Sequence, residues 1–139
     1  MKSRCVSLPD ESATLALGAA LWPQLPVTGC VYLSGDLGAG KTTLVRGLLR
    51  AAGHDGAVRS PTYTLIEPYE LAGRQVFHLD LYRLGDPEEL EFIGLRELLG
   101  QGLLLVEWPA QGRGVLPAPD WTIDLAADGQ GRQATLAIQ

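Results

Sequence analysis

Cysteine is scarce, basic charge is in deficit, and no apolar run survives long enough to suggest a membrane span. The two cysteines among 139 residues, Cys5 and Cys30, show no metal-ligand spacing. They fall far short of the density that staples small secreted scaffolds, so Cys30 is expected to be a buried thiol in a protein of the reducing cytoplasm. Lysines and arginines number 11 against 16 acidic residues, a net charge of −5. The arginines are scattered from Arg4 to Arg132. With no basic face or stripe, a direct and tight grip on nucleic acid is not expected, while a role beside a basic partner remains open. Residues 12–35 carry no charge and follow Lys2 and Arg4, which superficially resembles a leader. Pro9-Asp10-Glu11 separates the basic end from the apolar part, however, and Pro23 and Pro26 break any helix there. No targeting segment and no membrane association are expected. Internal repeats and low-complexity tracts are also missing.

The length suits one domain over residues 1–139, and the 46% hydrophobic and 19% charged content is that of a globular protein. Asp10 or Ser12 can cap a first helix running through Leu15, Leu17 and Leu21 until the prolines stop it. Cys30-Val31-Tyr32-Leu33 reads as a buried strand, and Lys41 to Ala52 as a helix with Leu44, Val45, Leu48 and Leu49 facing the core. The spacing predicts an antiparallel hairpin from strands over 62–70 and 75–82. Asp86-Pro87-Glu88-Glu89 opens a helix carrying Leu90, Ile93, Leu98 and Leu99, closed by Gly100. Leu103-Leu104-Leu105-Val106 has the continuous apolar character of a strand covered on both faces. A last hairpin is expected from strands over 121–125 and 134–138. The fold class is therefore α/β, a three-layer arrangement whose mixed sheet has a parallel core and antiparallel hairpin strands.

The densest chemistry lies in Gly35-Asp36-Leu37-Gly38-Ala39-Gly40-Lys41-Thr42, which satisfies every fixed position of the P-loop pattern G-x-x-x-x-G-K-[ST]. A predicted strand precedes it and a predicted helix follows. Glycines let the backbone wrap with its N–H groups turned inward, and the following helix adds positive potential. Lys41 can reach the β- and γ-phosphates of a nucleoside triphosphate, and the Thr42 hydroxyl can bind Mg²⁺. The chain holds only two lysines, and one of them falls where the motif requires it. There is no asparagine anywhere, which excludes the Asn-Lys-x-Asp motif that commonly reads guanine. Adenine follows by elimination, and ATP with Mg²⁺ is the expected ligand.

A P-loop enzyme also needs an acidic group near the metal, commonly at the end of a buried strand. Glu107 ends the run Leu103–Val106, and Asp80 ends Val76-Phe77-His78-Leu79. Either could bind the metal while the other positions the attacking water; a solvated acid at a strand end is the plainer alternative for each. Alternation places His78, Asp80 and Tyr82 on one face of an extended segment. Ser60-Pro61-Thr62-Tyr63-Thr64 offers hydroxyls where a γ-phosphate sensor could sit, or simply a turn before a strand.

Four blocks taken together, Gly35–Thr43, Ser60–Thr64, His78–Arg83 and Glu107-Trp108-Pro109, resemble the bacterial TsaE family. That family supplies the small P-loop ATPase of tRNA threonylcarbamoyladenosine biosynthesis. The resemblance runs from about Leu15 to Leu125, with no departure inside the four blocks. It implies Mg-ATP hydrolysis in support of a threonylcarbamoyl transferase and its inactive relative, TsaD- and TsaB-like proteins, which modify adenosine 37 of tRNAs reading codons that begin with A. Contact with tRNA would then be indirect. By the same resemblance Lys41 and Thr42 hold phosphate and Mg²⁺, and Thr43 supports the loop. Ser60, Pro61 and Thr62 form a switch, Asp80 and Glu107 are needed for hydrolysis, and Trp108 neighbours the nucleotide. The competing expectation is a small-molecule kinase on the same fold. Such an enzyme needs an acceptor pocket and an arginine-rich lid, and no Arg-rich insert separates the P-loop helix from Glu107.

Overall fold

The computed structural model describes residues 2–139. Among these residues the strands form one seven-stranded mixed sheet, in the order β1-β7-β6-β2-β5-β4-β3. Its strands are β1 (Lys2–Leu8), β2 (Gly29–Ser34), β3 (Ile66–Leu71), β4 (Arg74–Asp80), β5 (Leu103–Glu107), β6 (Trp121–Asp128) and β7 (Gly131–Ile138). The central strands β6, β2, β5 and β4 run parallel, and β3, β7 and β1 add antiparallel edges. Helices α1 (Glu11–Leu21) and α2 (Lys41–Ala51) cover one face, while the short α3 (Glu89–Phe92) and α4 (Leu95–Leu98) cover the other. This is the expected three-layer α/β arrangement with a parallel core and antiparallel hairpins.

Alternation along the central strands fills both layers. Val31, Leu33, Leu103, Leu105 and Val76 pack beneath α1 and α2 against Leu17, Leu21, Leu44 and Leu48. Cys30, Leu104, Val106, Phe77 and Leu79 point to the opposite layer, where Leu90, Leu95 and Leu84 close the core. Every residue of β5 is buried, as its apolar run requires. Asp10 caps α1, its Oδ1 accepting from the Ala13 N–H at 2.8 Å. The two helices on that face approach so closely that a Cβ on Gly47 would lie 2.3 Å from the Leu15 carbonyl oxygen, and one on Gly18 2.4 Å from that of Leu44.

The structure departs from the sequence reading in five places. The strand expected from Thr62 begins at Ile66 instead. Residues 62–65 form a turn closed by the Leu65 N–H on the Pro61 carbonyl at 2.8 Å, with Leu65 at φ 68°. Its hairpin partner covers 74–80 rather than 75–82, so Tyr82 lies beyond the strand and does not share its alternation. The connecting turn is tight, with Ala72 and Gly73 both at positive φ.

The helix predicted after Asp86 exists only as two single-turn pieces broken at Gly94, which has φ 81°. Its start signal is nonetheless real. Glu89 Oε2 accepts from the N–H groups of Gly85 and Asp86 at 2.9 and 3.0 Å, and Asp86 Oδ1 from that of Glu88 at 2.9 Å. Leu90 and Leu95 are both fully buried. On one continuous helix they would point about 140° apart, so the break at Gly94 is what lets both face the sheet. Finally, β1 went unrecognised in the sequence. Its residues are mostly exposed, and it is held by pairing with β7 along the sheet edge and by Leu8, which is buried in the core. The final hairpin is longer than expected, extending to Asp128 and starting again at Gly131.

Candidate functional site

Parallel strands β2, β5 and β4 all end at one edge of the sheet, and each end carries a piece of the site. Ligands in open α/β sheets gather outside these carboxyl ends. Strand β2 runs out at Ser34 into the loop 35–40, which returns directly into α2. Gly35, Gly38 and Gly40 adopt φ values of 148°, 78° and 102°, out of easy reach of other residues. A Cβ at position 35 would also meet the Leu125 carbonyl oxygen at 2.5 Å. The Ala39 N–H closes the loop on the Asp36 carbonyl at 3.0 Å. At the N-cap of α2, Gly40 brings no side chain to the first-turn amides, which have no intrahelical acceptor. The end of α2 is thus shaped to receive an anion.

Lys41 is buried, with 5% of its surface exposed. Its Nζ donates to the Gly35 carbonyl at 2.5 Å and lies 3.5 Å from the centroid of the Trp108 ring. Burial pushes the ammonium below its ordinary pKa, while Glu107, Asp80 and Asp36 pull the other way. Trp108 itself sits in the left-handed region at φ 58°, immediately after β5, and its ring packs 5.0 Å from that of Tyr82. That backbone turn is what aims the indole across the loop.

Asp80 and Glu107 occupy matching positions on the last rung of the β4–β5 ladder, so sheet register alone makes them neighbours. Both are almost wholly buried. Glu107 Oε2 accepts from the Thr42 hydroxyl at 3.0 Å and pairs with His78 Nε2 at 2.6 Å. Asp80 Oδ2 accepts from the hydroxyls of Ser60 and Thr62, the latter at 3.1 Å, and Asp80 Oδ1 accepts from the Tyr82 N–H at 3.0 Å. The loop 60–64 is therefore docked on Asp80, while the P-loop helix is docked on Glu107. Tyr63 stands exposed at the rim, with the Arg83 guanidinium 4.7 Å from its ring centroid.

These groups line a cleft of about 650 Å³ that includes Gly38 to Thr43, Ser60, Thr62, Asp80, Glu107 and Trp108. A cleft of that size accommodates a nucleotide. Leu37 also lines it, whereas Gly35 and Asp36 shape the loop from behind and Pro61 serves through its carbonyl. His78, which alternation in the sequence places on one face with Asp80, proves to be bound to Glu107 at full burial, and its Nδ1 has no partner. An unpaired buried nitrogen costs about 1–3 kcal/mol. Only its place two residues before Asp80 could have signalled it.

No cluster of three or more His, Cys, Asp or Glu side chains able to hold a metal alone occurs among the described residues. A hydroxyl and a carboxylate side by side at the phosphate loop fit magnesium, which takes one or two protein oxygens and completes its shell with phosphates and water. The Thr42 hydroxyl and the Glu107 carboxylate are the pair of oxygens so placed, with Asp80 next to them. No helix among the described residues is long and apolar enough to cross a membrane.

Comparisons with known proteins bear on the family and the fold. The family model described as "Threonylcarbamoyl adenosine biosynthesis protein TsaE" matches residues 8–134. A tRNA threonylcarbamoyladenosine biosynthesis protein TsaE from Haemophilus influenzae is 45% identical, aligning over 100% of this chain and 92% of its own length. The protein of the same description from Synechocystis is 42% identical over 73% of this chain and 68% of its own. Among solved structures, the crystal structure of Bacillus subtilis YdiB superposes with a TM-score of 0.83 at 28% identity, covering 99% of this chain and 87% of that one.

Proposed function

The chain belongs to the TsaE family of tRNA threonylcarbamoyladenosine biosynthesis proteins, and on that premise we propose that it binds Mg-ATP in the P-loop cleft and hydrolyses it. The observation that carries the reading is the convergence of Thr42, Glu107 and Asp80 at the mouth of the phosphate loop. A glycine loop alone would account for anion binding. Two buried carboxylates aligned by sheet register beside it are what phosphoryl chemistry adds.

The hydrogen bonds support a division of labour. Loop amides and Lys41 hold the phosphates, and Lys41 must leave the Gly35 carbonyl to do so. Thr42 and Glu107, already joined at 3.0 Å, hold the metal. Held there, Mg²⁺ would supply positive charge against the negative charge that develops on the phosphates. Asp80 orients the attacking water, and the loop 60–64 reports on the γ-phosphate because its Ser60 and Thr62 hydroxyls are tied to that same carboxylate. Trp108 forms the wall against which Lys41 and the nucleotide rest. ATP is the nucleotide because the chain lacks any asparagine for reading guanine.

Turnover serves a complex of two partner proteins, a threonylcarbamoyl transferase and its inactive relative, with tRNA held by that complex. The net charge of −5 accords with acting through partners rather than gripping RNA. The test is ATP hydrolysis by the purified protein, alone and with both partners. We expect slow turnover that rises when the partners are added. Indifference to the partners, despite sound ATP binding, would remove the coupling to the modification complex. ATP-dependent phosphorylation of an added metabolite would instead make the protein a kinase.

A further inference from the structure

We propose that His78 is a positioning residue for magnesium: it clamps the Glu107 carboxylate in the orientation that, together with the Thr42 hydroxyl, receives the metal accompanying ATP. The inference rests on the Mg-ATP reading above and deepens it. His78 is 0% exposed and sits in the middle of the sheet, where its Cα pairs with Leu105 and its ring reaches diagonally to the strand end. Nε2 meets Glu107 Oε2 at 2.6 Å, and the Thr42 hydroxyl meets the same oxygen at 3.0 Å. Two donors converging on one carboxylate oxygen fix the group's rotation and leave Oε1 out of both hydrogen bonds.

A histidine kept only for packing would be expected to satisfy both ring nitrogens or to be replaced by an apolar side chain. Here Nδ1 has no partner while Nε2 is committed to Glu107. The fold tolerates an unsatisfied buried nitrogen in order to make that one contact. Among the residues that share its face of β4 and β5, Val76, Leu103 and Leu105 are apolar core, so none of these three can donate to Glu107 in its place. Partners of this kind, one bond removed from a metal, orient the ligand and are typically worth 10- to 100-fold in metal affinity.

The experiment is a calorimetric titration of Mg²⁺ into ATP-saturated protein, with metal-free ATP binding measured separately. For His78→Leu we expect the magnesium dissociation constant to rise roughly 10- to 100-fold, with metal-free ATP affinity unchanged. His78→Gln, whose amide can replace the ring N–H, should recover most of the loss. In a Glu107→Gln background His78→Leu should add no further weakening. Should the leucine variant fail to fold, His78→Asn, too short to reach Glu107, takes its place. Wild-type magnesium affinity in a folded leucine or asparagine variant, or an equal loss in metal-free ATP binding, would overturn the proposal. A wild-type protein that binds no ATP would overturn the Mg-ATP reading itself, which is a separate outcome.

Discussion

Asp80 and Glu107 face each other across the last rung of the parallel β4–β5 ladder, yet each is held by a different part of the molecule. Glu107 is tied to the start of α2 through Thr42, and Asp80 to the loop 60–64 through Ser60 and Thr62. Changes on the phosphate side and on the loop side thus reach adjacent carboxylates. This arrangement gives a physical basis for linking the state of a bound nucleotide to a surface loop that a partner can read.

If the two carboxylates do the work assigned to them, isosteric neutral variants should separate folding from turnover. We expect Asp80→Asn and Glu107→Gln to keep the native circular dichroism spectrum while ATP hydrolysis drops by about a hundredfold or more, the usual worth of a positioned acid–base group. Glu107→Gln should in addition need more magnesium. Normal hydrolysis by both variants would refute the assignment.

Lys41 contributes a pH signature. Its folded pKa is lowered from 10.5, with burial as the leading cause. Between that lowered value and 10.5 the unfolded chain binds more protons than the folded one, so this group makes stability rise with pH across the window. Below the window it opposes folding by a constant amount. Urea unfolding of wild type and Lys41→Met at a series of pH values up to about 10.5 should show the wild type gaining on the variant as pH rises. A pH-independent difference would mean that the ammonium is not strained by burial.

The contact between α1 and α2 predicts a stability defect far from the chemistry. Because a Cβ at position 47 would stand 2.3 Å from the Leu15 carbonyl oxygen, Gly47→Ala must push the helices apart. Overpacking of this sort costs about 1–3 kcal/mol, which thermal unfolding would register as a drop in Tm. An unchanged Tm would show that α1 slides without cost.

The thiols should differ sharply. Cys5 is exposed, and Cys30 is buried with its pKa pushed up to about 12 by burial and by the nearby Asp120 carboxylate. A thiol reagent at neutral pH should therefore modify one cysteine quickly and the other only on unfolding. The stability tied to Cys30 is intact below its unfolded pKa of 9.0 and is lost as pH climbs toward 12. Rapid reaction of both thiols in the native state would contradict the burial.

Much of the site was legible because its chemistry is written in contiguous blocks. The phosphate loop occupies one stretch of chain, and a strand-end acid is visible wherever an apolar run stops. The face-to-face pairing of Asp80 with Glu107 was not legible, since it depends on strand register between segments 27 residues apart. The bond between His78 and Glu107 was illegible for the same reason, as the partner lies across the sheet. Local pattern also failed at the loop 60–65, where Thr and Tyr favour strands but docking on Asp80 bends the chain into a turn. The capping signal at Asp86 was genuine and marked a start, though it could not reveal that Gly94 would break the helix after one turn. Strand β1 has almost no buried face and so left little trace in the hydrophobic pattern.

Whether the loop 35–42 and Glu107 together hold Mg-ATP is decided by equilibrium binding of ATP to the wild type and to Lys41→Ala, with and without magnesium. We expect binding by the wild type that tightens with magnesium and is preferred over GTP. We also expect a loss of roughly tenfold or more in the variant, the worth of a charge-assisted hydrogen bond to phosphate. Equal affinity in wild type and variant, or no effect of magnesium on the wild type, would contradict the Mg-ATP reading.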